Sequence, residues 1–252
     1  LPMDVEQGVL FSLGADYYEV GRSAGELGAR VLRGESPAKV PIKNYVPEQL
    51  AINQTIPPKL DPRWELPARW LKDAAIVVDE KGTHSKSRTR SVRPVEGEKY
   101  RIHVVYFGPD PVNDAALTGL TKRLAELEFK EGQNLTVTSA HAAGELATIP
   151  KLLQEADSSD ADLIVTFTTP VLTSACSVVK KKPVVFTLVY DPIAAGAGKT
   201  FDDHLPHLTG VGSFPPLAKM VDTMQTLVPS LKRVGVVYNS WEANSRKAVG
   251  VA

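Results

Sequence analysis

The chain has 252 residues and 43% apolar content, enough to bury a core as one large domain or two small ones. Its 29 basic and 29 acidic residues cancel, so no global field gathers nucleic acid or anionic lipid. The single cysteine, Cys176, excludes an intrachain disulfide, and no apolar run reaches the ~20 residues that span a bilayer.

The opening residues, LPMDVEQGVLF, lack the pattern of a signal peptide, so any export signal is expected upstream. A helix is predicted over 14–33, where Val20, Ala24, Leu27 and Val31 share one face. Gly21, Gly25 and Gly28 each weaken a helix by ~1 kcal/mol, so three of them point to a close partner surface. Gly34 ends that helix, and KVPIKNY offers a strand at 40–45. Residues 83–98, THSKSRTRSVRPVEGE, are basic and aperiodic and read as an exposed linker. Without interleaved aromatics or a recognition helix they do not read as a nucleic-acid site.

Beyond the linker, short β-branched runs alternate with amphipathic helices. RIHVVYF, at 101–107, precedes a helix with Ala116, Leu120, Leu124 and Leu127 on one face and Asn113 or Asp114 as its cap. The strand LTVTSA, a helix around 150–156, the strand ADLIVTF, a helix over 172–180 and the strand PVVFTLV follow. A last pair is the helix PLAKMVDTMQTLV and the strand RVGVVYN. Continuously apolar strands alternating with helices imply a doubly wound parallel α/β sheet covered on both faces.

In such sheets ligands bind beyond the carboxyl ends of the strands. Four loops there are rich in small polar residues and proline: GPDPVND (108–114), TTPVLTS (168–174), DPIAAG (191–196) and NSWEANS (239–245). Helix starts suit a carboxylate or another anion, and Phe107, Tyr190, Tyr238 and Trp241 could wall an apolar group. DPIAAGAGKT ends like a phosphate-binding loop, but its first glycine position holds Ile193 and no helical period follows Thr200. His204 and His207 flank Pro206, which breaks the helix that would align them on a metal. GVGSF lacks the last glycine of a nucleophile elbow, and Cys176 reads as a buried thiol in a helix. No catalytic set, metal or cofactor is expected.

VNDAALTGLTKRLAELEFKEGQNLTV, ADLIVTFTTP, KPVVFTLVYDPIAAG, LTGV and RVGVVYNSWEANS, in that order, resemble the first half of an ABC-transporter substrate-binding protein of the tryptophan- and tyrosine-binding type. The resemblance covers roughly 100–247 and implies a type I-like periplasmic-binding-protein lobe, with the second lobe largely missing. GADYYEVGRSAGELGARVLRGESPAKVPI, LAINQT and LPARWLKDAAIVV, within 8–78, resemble the last part of the same family, yet here they come first. That order implies tandem copies or a permutation. The expected division is a C-terminal-type segment at 1–82, the linker, an N-terminal lobe at 99–230 and the start of a second lobe at 231–252. Residues 14–45 are expected to join the sheet of 101–190, within one chain or as a domain-swapped homodimer.

The resemblance implies a solute-binding component of an ABC importer, not an enzyme. It would act on the extracytoplasmic side with a permease and hold a small molecule, an aromatic amino acid, in an interlobe cleft. The ligand residues it implies are Phe107, Pro111, Asn113, Thr168, Thr169, Pro170 and Asp191 from this lobe. Tyr238, Asn239, Glu242, Asn244 and Ser245 come from the other, and Asp16 and Tyr17 lie near the hinge. A ligand-sensing module of a signalling protein and, behind it, an α/β enzyme are the alternatives.

Overall fold

The computed structural model describes residues 5, 8–44, 48–60, 66, 68–74, 76–85, 92–238, 240 and 243–251. In chain order its elements are β1 (Phe11–Ala15), α1 (Tyr17–Leu32), β2 (Lys43–Asn44), β3 (Glu48–Asn53), α2 (Ala68–Asp73), β4 (Ile76–Asp79), β5 (Gly82–Ser85) and β6 (Tyr100–Tyr106). Then follow α3 (Pro111–Glu126), β7 (Leu135–His141), α4 (Ile149–Ser158), β8 (Leu163–Phe167), α5 (Thr169–Val178), β9 (Val184–Val189), β10 (Leu208–Gly212), α6 (Leu217–Leu227) and α7 (Ala243–Val251). The chain divides into two compact units. One comprises Tyr17–Tyr45 and Arg90–Phe214, the other Leu1–Asp16, Val46–Thr89 and Pro215–Ala252.

The larger unit is a parallel sheet in the order β2-β10-β9-β8-β6-β7. β8 and β9 are buried along their whole length, which is why they read as continuous apolar runs. Ile164 and Phe186 share a core with Leu153 of α4 and Ala175 of α5. On the opposite face Leu163 lies against Gly28 of α1. The sheet is therefore covered on both faces, as a doubly wound α/β fold requires.

The helix and strand of the early segment are part of this sheet: α1 packs on α3 and on β9, and β2 extends the sheet beside β10. The glycines make that packing close. A methyl at Gly21 would collide with the Ala116 carbonyl, and one at Gly119 with the Tyr18 carbonyl. Two positively charged side chains then bridge the helices. Arg22 makes a two-pronged bond to Glu126 at 2.7 and 2.8 Å, and Arg123 reaches Glu26 at 2.6 Å and Glu126 at 3.1 Å.

The smaller unit holds a sheet in the order β1-β3-β4-β5, with β1/β3 and β4/β5 antiparallel and β3/β4 parallel. Its core gathers Ile52, Trp70 and Ala74, with Phe11, Leu50 and Leu227 against them. The Phe11 and Trp70 rings lie 6.2 Å apart.

Several local expectations change. α3 starts two residues before Asn113, because Asp110 is its cap: Asp110 Oδ1 accepts from Val112 N at 2.7 Å and Asn113 N at 3.0 Å. α5 starts at Thr169 rather than Leu172, and β2 is shorter than the expected strand. Residues 83–85 lie in β5, paired with β4, so the basic linker begins later than expected; residues 86–91 lie outside the described ones. β10 was not among the expected strands; Gly210 sits where a methyl would collide with the Phe186 carbonyl. Conversely, the described part of RVGVVYN forms no strand, and Val234, Val236, Val237 and Tyr238 are exposed. A β-branched run becomes a strand only where a neighbour accepts its hydrogen bonds, and none of the described residues pairs with it. α6, read as the next helix of the same sheet, belongs to the smaller unit.

Candidate functional site

Because the strands of the larger unit are parallel, their carboxyl ends deliver four loops to one edge of the sheet. These are 107–110 before α3, Thr168 before α5, the turn after β9, and Ser213–Phe214 after β10. The start of α1 joins them, since Tyr17 lies beside Tyr190 and Asp110.

The two helix starts at this edge differ. Asp110 already occupies the first amides of α3, and Pro111 fills a position that needs no N–H. Asn113 is buried in that first turn, with Nδ2 donating to the Gly108 carbonyl at 2.7 Å and to Asp110 Oδ2 at 2.9 Å; its Oδ1 has no partner. Phe107 is half-buried against the core, and its carbonyl accepts from Gly144 N at 2.9 Å.

The start of α5 is free of such a cap. Thr168 stands at φ 78° and ψ 155°, makes no side-chain capping bond, and its buried Oγ1 has no partner. This backbone region is nearly restricted to glycine, and a β-branched residue there stores on the order of 1–3 kcal/mol. The first helical bond is Leu172 N to the Thr168 carbonyl, so the Thr169 and Val171 amides precede the helical ladder; Pro170 has no N–H. An uncapped helix start on a strained residue suits an anionic ligand group. Next to it on the sheet, Leu188 also has a positive φ, 59°.

Rings line the same edge. Tyr190 meets Phe214 edge to face at 6.0 Å and lies beside Tyr17. Burial holds the Tyr17 phenol neutral far above its ordinary range, and Tyr190 and Asp110 reinforce this. Asp191 closes the following turn, its Oδ1 accepting from Ala194 N at 3.1 Å and its carbonyl from Ala195 N at 3.0 Å. Ser213 Oγ and Thr187 Oγ1, both buried, have no partner in the chain.

The structure thus brings Phe107, Pro111, Asn113, Thr168, Thr169, Pro170, Asp191 and Tyr17 to one edge of one unit. Asp16, Tyr238, Asn244 and Ser245 belong to the smaller unit, with Asn244 and Ser245 on α7. Asn239 and Glu242, with Trp241, lie outside the described residues. Sequence reasoning placed Asp110 in the GPDPVND loop and weighed Ser213 and Phe214 only within GVGSF as a nucleophile elbow, so none of the three was assigned to the ligand edge. Asp110-Pro111 ahead of an apolar period was the available signal for the cap.

The amides of Lys199 and Thr200 both donate to the Asp203 carbonyl, at 2.8 and 3.2 Å, so the phosphate-loop look-alike is a tight hairpin. His204 ring nitrogens lie 3.0 and 3.1 Å from the Val40 and Leu205 carbonyls. Burial pushes the half-buried Cys176 thiol up to about 11, which leaves it a poor nucleophile.

A family model described as "ABC transporter substrate binding protein" matches residues 2–77 and 101–252. The tyrosine-binding protein of Clostridioides difficile (strain R20291) is 29% identical over 136 residues, which is 54% of this chain and 39% of that protein. Three solved structures share the architecture. A conserved domain protein from Vibrio cholerae has 27% identity and a TM-score of 0.55, over 61% of this chain and 52% of that one. A ligand-free, open substrate-binding protein with adhesive properties from Clostridium difficile has 30% and 0.53, over 60% and 51%. A domain in complex with L-Trp from Streptococcus pneumonia has 26% and 0.55, over 61% and 52%. The chain spans about half the length of these structures and less of the curated relative.

Proposed function

The chain belongs to the family of ABC-transporter substrate-binding proteins, and from that premise we propose that it binds an aromatic amino acid for an ABC importer. One observation carries the reading. The uncapped start of α5 at Thr168 lies on the same sheet edge as the Tyr17, Tyr190 and Phe214 rings, so an anion-binding helix end and an aromatic wall occur together. The Thr169 and Val171 amides take the ligand carboxylate, and Thr168 Oγ1 adds a donor. The rings receive the aromatic side chain. The Asp191 turn, with Asn113 behind it, borders the pocket. The names of two relatives, a tyrosine-binding protein and a domain holding L-Trp, are consistent with this class.

The protein works on the extracytoplasmic side, delivers its ligand to a permease, and turns nothing over.

Isothermal titration tests this with L-Trp, L-Tyr and L-Phe against L-Lys, adenosine and glucose. Saturable binding is expected for the aromatic amino acids alone, weakened about tenfold by Thr168→Ala or Asp191→Ala, equivalent to ~1.4 kcal/mol. Absence of binding by all three, or equal binding of glucose, overturns the assignment.

A further inference from the structure

The side chains of β9 change faces partway along the strand. Val184 and Phe186 belong to the core that contains Ala175 of α5, and strict alternation would send Leu188 there next. Val189 takes that place instead. The register gives the cause. From the Gly210–Phe186 pair to the Gly212–Val189 pair, β10 advances two residues and β9 three, so β9 carries one extra residue against this neighbour. Against β8 it stays in step through Thr187. Leu188, buried and at φ 59°, supplies the extra residue in a left-handed conformation, and pairing resumes beyond it with Ser213 N donating to the Val189 carbonyl at 2.8 Å.

We infer that Leu188 is a positioning residue for the candidate ligand edge: its bulge inverts the alternation of β9 and so aims Tyr190 away from the α5 core, toward the α1 side of the sheet. There Tyr190 lies beside Tyr17, the first residue of α1, and meets Phe214 edge to face at 6.0 Å. In an unbroken strand Tyr190 would share the face of Phe186, and both contacts would be lost. A leucine holds a left-handed backbone only under strain that glycine escapes, so the surroundings maintain it. Thr168 N, at the start of α5, donates to the Thr187 carbonyl at 3.1 Å directly before the bulge, and Ser213 closes it behind. The inversion needs no ligand. Its bearing on affinity rests on the proposed function, in which Tyr190 is part of the aromatic wall.

Three substitutions in the full chain test this. Glycine accepts a left-handed backbone and isoleucine resists it, while alanine removes the same side chain as glycine without its backbone freedom. Leu188→Gly is therefore expected to keep a higher urea midpoint than Leu188→Ala, the reverse of their order inside a regular strand. Nuclear Overhauser contacts between the Tyr190 and Phe214 rings are expected in the native chain and in Leu188→Gly, and lost in Leu188→Ile. An alanine variant more stable than the glycine one, ring contacts missing from the native chain, or ring contacts undiminished in Leu188→Ile would each overturn the inference. If Leu188→Ile does not fold, the glycine–alanine order and the native ring contacts still decide. Titration with L-Trp then separates the two claims: affinity should stay within about threefold of native in Leu188→Gly and fall at least about tenfold in Leu188→Ile. Ring contacts that follow the substitutions in a protein indifferent to L-Trp keep the positioning role and remove the proposed ligand class. Native affinity in a Leu188→Ile chain that has lost its ring contacts would overturn the role of Leu188 at the ligand edge.

Discussion

Thr168 shows in one residue how stability and binding oppose each other. Its φ of 78° is a conformation glycine adopts freely and threonine adopts under strain, and its buried Oγ1 is left without a partner. Thr168→Gly is therefore expected to raise unfolding free energy by about 1 kcal/mol in urea titrations while weakening affinity for the aromatic ligand, which loses a donor and a fixed helix start. A variant less stable than the native protein would show that the threonine is held there by packing rather than for ligand. Much of this edge was readable beforehand. Thr168, Thr169 and Asp191 sit where apolar runs give way to small polar residues, a boundary that composition alone reveals. The strain at Thr168 was not readable, because φ is a tertiary outcome. Nor was the meeting of Tyr17, Tyr190 and Phe214, which are far apart in sequence and come together only through the fold.

At the scale of elements, the α1–α3 pair explains why an early segment belongs to a sheet formed mostly by later residues. Val20, Ala24, Leu27 and Val31 of α1 are all buried, each large one contributing roughly 1.5–3 kcal/mol. The glycine spacing announced a close partner, and Ala116 and Gly119 of α3 provide it. The Arg22 guanidinium, with Arg123 behind it, holds Glu126 down at about 2. A carboxylate depressed in the folded state stabilises above its unfolded value, about 4.3, and that contribution is lost as pH falls through the folded value. Accordingly, native protein should exceed Glu126→Gln in urea midpoint at pH 6, and the gap should close between about pH 5 and pH 2. A pH-independent gap would mean that the side chain acts by packing alone. The failure of RVGVVYN to form a strand has the same origin as the success of α1: both segments are amphipathic or apolar, but only α1 meets a complementary surface among the described residues.

At the scale of the whole molecule, the doubly wound sheet was legible because buried parallel strands write themselves as apolar runs, and the family was legible from the loops between them. The smaller unit was not: its strands are short, and β1 pairs with β3 across the 17–45 stretch that belongs to the other unit. The account's central claim is that an aromatic amino acid binds at the carboxyl edge of the larger unit's sheet, with its carboxylate on the start of α5. The most direct measurement is an amide-resolved NMR titration of the full chain with L-Trp. The account predicts saturable shifts at Thr169, Val171 and Tyr190, with Val112 at the capped start of α3 nearly still. Saturable shifts confined to other parts of the chain, or none at any L-Trp concentration, would contradict it.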